Sequence, residues 1–342
     1  MENQQAPYGR IDSLETNPMS SAVKKEILLV SGILGLCIVV FHYLGEGMGK
    51  VVLDLVKSGA LPYDFAMQQV IQILYTILTI LVPFAIGALV IKKIQKRDVL
   101  LPFDKPKSGI LFAEALGIGC IAIVVANLAT AVIVAIFGGV GIEFDSYKPE
   151  SPTTTYQLLW MLLSNAVVPA LVEEFALRGV ILQSLRKYGD AFAVLASALI
   201  FGMMHGNMTQ FPFAFILGAV LAVLVLITGS LWTSMAVHLI NNIYSVLMTT
   251  VYDRGDDMLT AMITVSVYTL AAIYGVIALV YFLGMHRGMD LIRARNMPGG
   301  PSKVGVGIYR RQAWLYTIIS PPMIVALVLL VKELVKTVHF TG

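Results

Sequence analysis

Two carboxylates and a guanidinium interrupt an otherwise apolar stretch between Leu171 and Gly179, Leu-Val-Glu-Glu-Phe-Ala-Leu-Arg-Gly. Charged groups in such surroundings are costly and by default mark function, the bland alternative being a helix end whose long side chains reach back to the interface. On a helix, neighbours on one face lie three or four residues apart, so Glu174 reaches Arg178 while Glu173 points elsewhere. Glu173 is thus the carboxylate left unpaired. Two more polar clusters follow in successive apolar runs: Phe201 with His205, then His238 with Asn241 and Asn242. A carboxylate, imidazoles and an amide gathered in a protected cavity suit hydrolysis of a peptide bond. Glu173, assisted by His205, would take a proton from water. His238 and Asn242 would donate hydrogen bonds to the oxyanion that forms on the attacked carbonyl. Glu174 with Arg178 would hold the helix and keep Glu173 off the guanidinium. Singly, each cluster has a second reading: His205 as a satisfied core histidine, His238 with Asn242 as hydrogen-bonding glue between helices, and Phe201 as packing. Glu114 has no comparable partner in sequence and reads as an interfacial or structural residue.

The elements that carry these residues are set by composition. With 57% hydrophobic and 13% charged residues and a mean hydropathy of +0.80, the chain is too apolar for a soluble globule and is expected to be an all-α polytopic membrane protein. Nine apolar runs approach or exceed the 20 or so residues that cross a bilayer: 26–45, 66–92, 109–138, 156–183, 191–206, 211–228, 231–251, 259–284 and 312–335. A short interfacial helix is expected over Gly49–Lys57. A polar leader with no cleavage signal precedes the first run, and the Gly- and Pro-rich linker Asn296–Gly307 reads as flexible. Cys37 and Cys120 fall inside apolar runs as free thiols, which points away from disulfides and thiolate zinc sites. The chain divides into a leader (1–24), N-terminal spans (25–152), a core holding the three clusters (153–252) and C-terminal spans with a basic loop (253–342).

Lys and Arg set the orientation. Six of them against two aspartates lie between Lys92 and Lys107, and six against one between His286 and Arg311. Both linkers read as cytoplasmic. The linkers holding Glu143, Asp145 and Glu150, and Asp253, Asp256 and Asp257, are acidic and read as external. An integral protein of the cell membrane with a cytoplasmic N-terminus follows. If the fourth and fifth runs pair around Gly189, Glu173 lies 16 residues before the turn and His205 16 after it, each about 24 Å away and so at one depth. His238 reaches that depth only if the turn Thr228-Gly229-Ser230 is enclosed by protein.

Glu173-Glu174-x-x-x-Arg178, Phe201-x-x-x-His205 and His238-x-x-x-Asn242, in this order and in successive apolar helices, resemble the three motifs of the CPBP family, the CAAX prenyl endopeptidases and bacteriocin-processing proteases also called the Abi family. The resemblance runs from Tyr156 to about Thr250. It implies a bundle of about eight transmembrane helices, nine by the apolar runs, around a water-accessible cavity. It implies Glu173 as catalytic glutamate with His205 activating water, His238 and Asn242 supporting the tetrahedral intermediate, and a structural Arg178. The family has been labelled metalloproteases, and Glu173, His205 and His238 would form a three-ligand zinc site with an open position. A zinc enzyme also needs a separate base, and the only nearby candidate, Glu174, is engaged by Arg178. The preferred reading is therefore metal-independent, with zinc as the alternative. The expected partners are a peptide or membrane-protein substrate and the lipid bilayer, not nucleic acid. Two readings of other classes remain beside it: a non-catalytic Abi-type scaffold or immunity protein, and a proton-coupled transporter, against which stands the lack of an internal repeat.

Overall fold

The computed structural model describes residues 19–96, 101–145, 151–253, 255–286 and 310–340. Most of the polar leader, and the linker Asn296–Gly307, lie outside the described residues. Side-chain caps open several helices by taking up an otherwise orphaned backbone N–H: Ser20 before α1 (Ser21–Lys57), Asp64 before α2 (Phe65–Gln95), Ser108 before α3 (Gly109–Gly139) and Thr154 before α4 (Thr155–Tyr188). Then come α5 (Asp190–Met204), α6 (Phe211–Thr228), α7 (Leu231–Tyr252), α8 (Asp257–His286), α9 (Arg310–Ile318) and α10 (Pro321–Lys336). Two short strands, β1 (Ile142–Phe144) and β2 (Val338–Phe340), pair antiparallel with Glu143 opposite His339.

The chain is an all-α polytopic membrane protein. Among the described residues α1, α2, α3, α4, α6 and α8 are each long and apolar enough to cross a membrane. All nine apolar runs fall on helices, with three departures from the expected spans. α5 has only 15 residues. α7 has 22, but His238, Asn241 and Asn242 dilute its apolar character. The last run is not one straight span: α9 and α10 meet at 83° and amount to a seventh crossing only when counted together. Pro321 and Pro322 supply the reason, since neither has an N–H to continue the helix. The expected separate helix at Gly49–Lys57 is also corrected, because α1 runs unbroken to Lys57. The glycines there cost helix stability without ending it, and no proline intervenes before Pro62.

Three stretches wind more loosely than an α-helix, with π-type bonding: Ile77–Leu81 in α2, and Leu162–Val167 and Phe175–Ile181 in α4. The first two lie immediately ahead of Pro83 and Pro169, whose rings push away the carbonyl four residues back and widen the preceding turn. α1 packs on α2 and α10, α3 on α6 and α8, and α5 on α6, while α7 runs beside α4 and α6. α6 is apolar on all sides, and its burial among α3, α5 and α7 is what such a helix requires.

The two ends of the bundle differ. At one, Lys187 pairs with Glu26 at 2.6 Å, and the turn between α6 and α7 is fully covered by residues 101–104. There the Leu231 N–H donates to Pro102 O, the Ser230 hydroxyl to Asp104 O and the Trp232 indole to Phe103 O. The turn Thr228-Gly229-Ser230 is therefore enclosed by protein, as His238 needs. At the other end the ribbon joins the α5–α6 connection through the Met208 N–H, which donates to the Thr337 hydroxyl at 3.0 Å.

Candidate active site

α4 and α5 form a helical hairpin that turns at Gly189, whose φ of 134° suits a residue without Cβ. The hairpin brings Glu173 and His205 onto the wall of one cavity of about 170 Å³, together with Gln72, Tyr75 and Phe201. The equal spacing about the turn is what makes this possible.

Behind that wall is a sealed ionic cluster. The Arg178 guanidinium donates to Glu174 Oε1 at 2.8 Å and to the Gly218 carbonyl at 3.1 Å, and both charged side chains are fully buried. Its Cζ lies 4.3 Å from the centre of the Phe201 ring, a cation–π contact that gains strength away from water. A Cβ on Gly218 would stand 2.9 Å from Phe201 and 3.2 Å from the guanidinium, so α6 needs glycine there. The loosened turn Phe175–Ile181 leaves carbonyls that find other donors: Ser197 Oγ to Leu177 O at 3.1 Å, and Gln183 Nε2 to Arg178 O at 3.3 Å. Such turns occur often at functional sites, where they re-aim side chains.

His238 is clasped between the two glutamates. Its Nδ1 meets Glu174 Oε1 at 3.0 Å, and since that carboxylate already accepts from Arg178, Nδ1–H is the donor. Nε2 is left facing Glu173 Oε2 at 3.8 Å, too far for a direct hydrogen bond. His205 Nδ1 lies 2.9 Å from the Phe201 carbonyl, which can only accept, so Nδ1 carries the proton and Nε2 is the nitrogen with a lone pair. Phe201 is the common packing surface, with His205 and His238 edge-on to it at 4.9 and 5.7 Å. On α7, Asn241 Nδ2 donates to Asn242 Oδ1 at 3.1 Å. This leaves the Asn242 amide N–H groups free to donate.

The expected single hollow is corrected to two. His205 also lines a larger cavity of about 790 Å³, whose wall includes Asn127, Thr130, Asn241 and Asn242. Glu173 faces the small cavity and Asn242 the large one, and His205 belongs to both. His238 is 4% exposed and lines neither, because both ring nitrogens turn toward glutamates. As an oxyanion donor it can use Nε2 only with a second proton on the ring.

For a shared zinc ion, the ligand atoms of Glu173, His205 and His238 would have to converge. Among the described residues the one group of three whose ligand atoms gather within 4.8 Å is His42, Glu46 and Glu333, where Lys336 also holds Glu333. The ligand atoms of Glu173, His205 and His238 do not gather within that distance. Glu114, 4% exposed, is buried rather than interfacial.

Several residues of the site escape a reading of the sequence. Gln72 and Asn127 are polar groups inside apolar runs, a signal that is there to be read. Tyr75 and Gly218 give none, since their part depends on which helix lies opposite.

Residues 155–244 match the family model described as Type II CAAX prenyl endopeptidase Rce1-like. No curated protein matches the chain, and no solved structure does.

Proposed function

We propose, from the match of residues 155–244 to the Rce1-like type II CAAX prenyl endopeptidase model, that the chain is a membrane-embedded protease of that kind and that it cleaves peptides with water activated by Glu173. The observation that carries this reading is the contrast between two adjacent carboxylates. Glu174 is neutralised by Arg178 in a buried pair, while Glu173 is held apart on a cavity wall with His205. A carboxylate kept free of its guanidinium neighbour, beside an imidazole with one nitrogen available, is what a general base for water requires.

In the proposed reaction a substrate chain lies in the larger cavity and presents its carbonyl at His205, the wall shared with Glu173. Glu173 takes a proton from water, and the oxygen adds to the carbonyl. The oxyanion accepts from the Asn242 amide and from His238 when its ring is protonated. Collapse breaks the C–N bond, and the proton returns from Glu173 to the leaving amine. His205 holds the water through Nε2. Phe201, Arg178 and Glu174 position these groups. In the membrane, α5 and α7 add to the six or seven longer crossings to make eight or nine around water-filled cavities, with the N-terminus in the cytoplasm.

The test is the appearance of new peptide termini in membranes incubated with the purified chain, compared with Glu173→Gln. Removal of a general base should lower the rate by roughly 10²–10⁴ and leave the thermal unfolding midpoint unchanged. Equal cleavage by both proteins would refute the assignment. Chelation should leave turnover intact; stoichiometric zinc whose removal abolishes cleavage would replace the metal-independent reading with the zinc one.

A further inference from the structure

We propose that the site receives its substrate from the membrane face opposite to the Lys- and Arg-rich linkers, so that the peptide bonds it cuts lie on, or have been carried to, the non-cytoplasmic side. This inference rests on the proteolytic reading above and adds to it the location of the substrate.

The larger cavity is bounded by one set of chain connections. Ser151 precedes α4, Thr209 and Gln210 lie between α5 and α6, and Tyr252 and Asp253 end α7. From that rim it descends to Asn242, ten residues before Tyr252 and hence about 15 Å deeper. The ribbon β1–β2 stands at the same end: Thr209 Oγ1 and Asn207 Nδ2 both donate to Asp145 O, and the Ser151 hydroxyl donates to Thr249 O.

The opposite end is closed among the described residues. Residues 101–104 cover the α6–α7 turn through three hydrogen bonds. At the α4–α5 turn, Arg186 pairs with Asp190 at 2.9 Å and Lys187 with Glu26. Between this closed end and the cavities lies the buried Glu174–Arg178 pair under Phe201.

Charge tells the two faces apart. The closed end carries Lys24, Lys25, Lys92, Lys93, Lys105 and Lys107. Helices alternate direction, so each connection at the cavity's rim lies on the far side from these residues. Excess Lys and Arg in short linkers marks the cytoplasmic side, and the cavity's mouth is therefore external. The exposed Asp253, Asp256 and Asp257 beside the mouth are in keeping with that face.

The test uses the full chain in the membrane of intact cells. A membrane-impermeant maleimide is applied to Thr209→Cys, Asp253→Cys and Lys105→Cys, with the native chain as background for Cys37 and Cys120. The inference expects Thr209→Cys and Asp253→Cys to label in intact cells as fully as after permeabilisation, and Lys105→Cys to label only after it. The reverse pattern would overturn the inference. A second arm collects the membrane peptides that accumulate uncut with Glu173→Gln and asks whether externally added protease reaches their uncut sites. Digestion from outside supports the inference, and protection until permeabilisation overturns it. If nothing accumulates, the proteolytic reading itself fails, whereas the labelling still reports which way the cavity opens.

Discussion

Glu173 and Glu174 are neighbours in sequence and opposite in circumstance: one lies on a cavity wall, the other against a guanidinium. This division follows from helix geometry alone, and it was legible because charges in an apolar run are few and costly. The role of His238 was not, since its contact with Glu174 joins residues 64 apart and helix spacing says nothing about which rotamer another helix imposes. The pairing of Asn241 with Asn242 bears on mechanism at this scale. With Oδ1 of Asn242 already accepting from Asn241, the amide hydrogens are what it would offer a substrate in the proposed reaction. Asn242→Asp keeps the shape and removes those donors, so its kcat should fall by about 10²–10³, the usual loss for one oxyanion donor, with KM little changed. An Asp variant of native activity would assign Asn242 to packing instead.

At the scale of elements, α4 is bent to its task by its own residues. Pro169 and the loosened turn at Phe175–Ile181 set the direction in which Glu173 and Arg178 leave the helix, and α6 accommodates the result with Gly218. Arg178→Ala leaves Glu174 buried without its charge partner, which should cost about 3–5 kcal/mol of stability. Arg178→Lys should recover little, because an ammonium cannot both stack on Phe201 and reach Glu174 and Gly218 in a fork. Gly218→Ala should destabilise by about 1–3 kcal/mol through overpacking against Phe201. Unfolding by denaturant in detergent measures all three, and wild-type stability in Arg178→Ala would contradict the buried-pair assignment. The helices themselves were legible as apolar runs. The ribbon was not: three-residue strands whose partners lie almost 200 residues apart leave no local signature. The break between α9 and α10 was announced by Pro321-Pro322, but hydropathy averaged over a window hides a kink of two residues.

At the scale of the whole molecule, the helices outside residues 155–244 are part of the site. Phe41 of α1 and Gln72 and Tyr75 of α2 wall the small cavity, and Asn127 and Thr130 of α3 wall the large one. In the proposed reaction the residues of α4, α5 and α7 supply the reacting groups, and the flanking spans would shape the space in which a substrate fits. Specificity is accordingly expected to change with α1 to α3 and chemistry with α4, α5 and α7. In the proposed reaction Glu173 and His205, held on two arms of one hairpin, act on the same water. A double-mutant cycle tests this most directly, with cleavage rates for wild type, Glu173→Gln, His205→Gln and the double variant. Groups that act as a unit are far from additive, so the double variant should be no slower than the slower single one. Losses that multiply, or a single variant with native activity, would show that the two residues do not act as one unit.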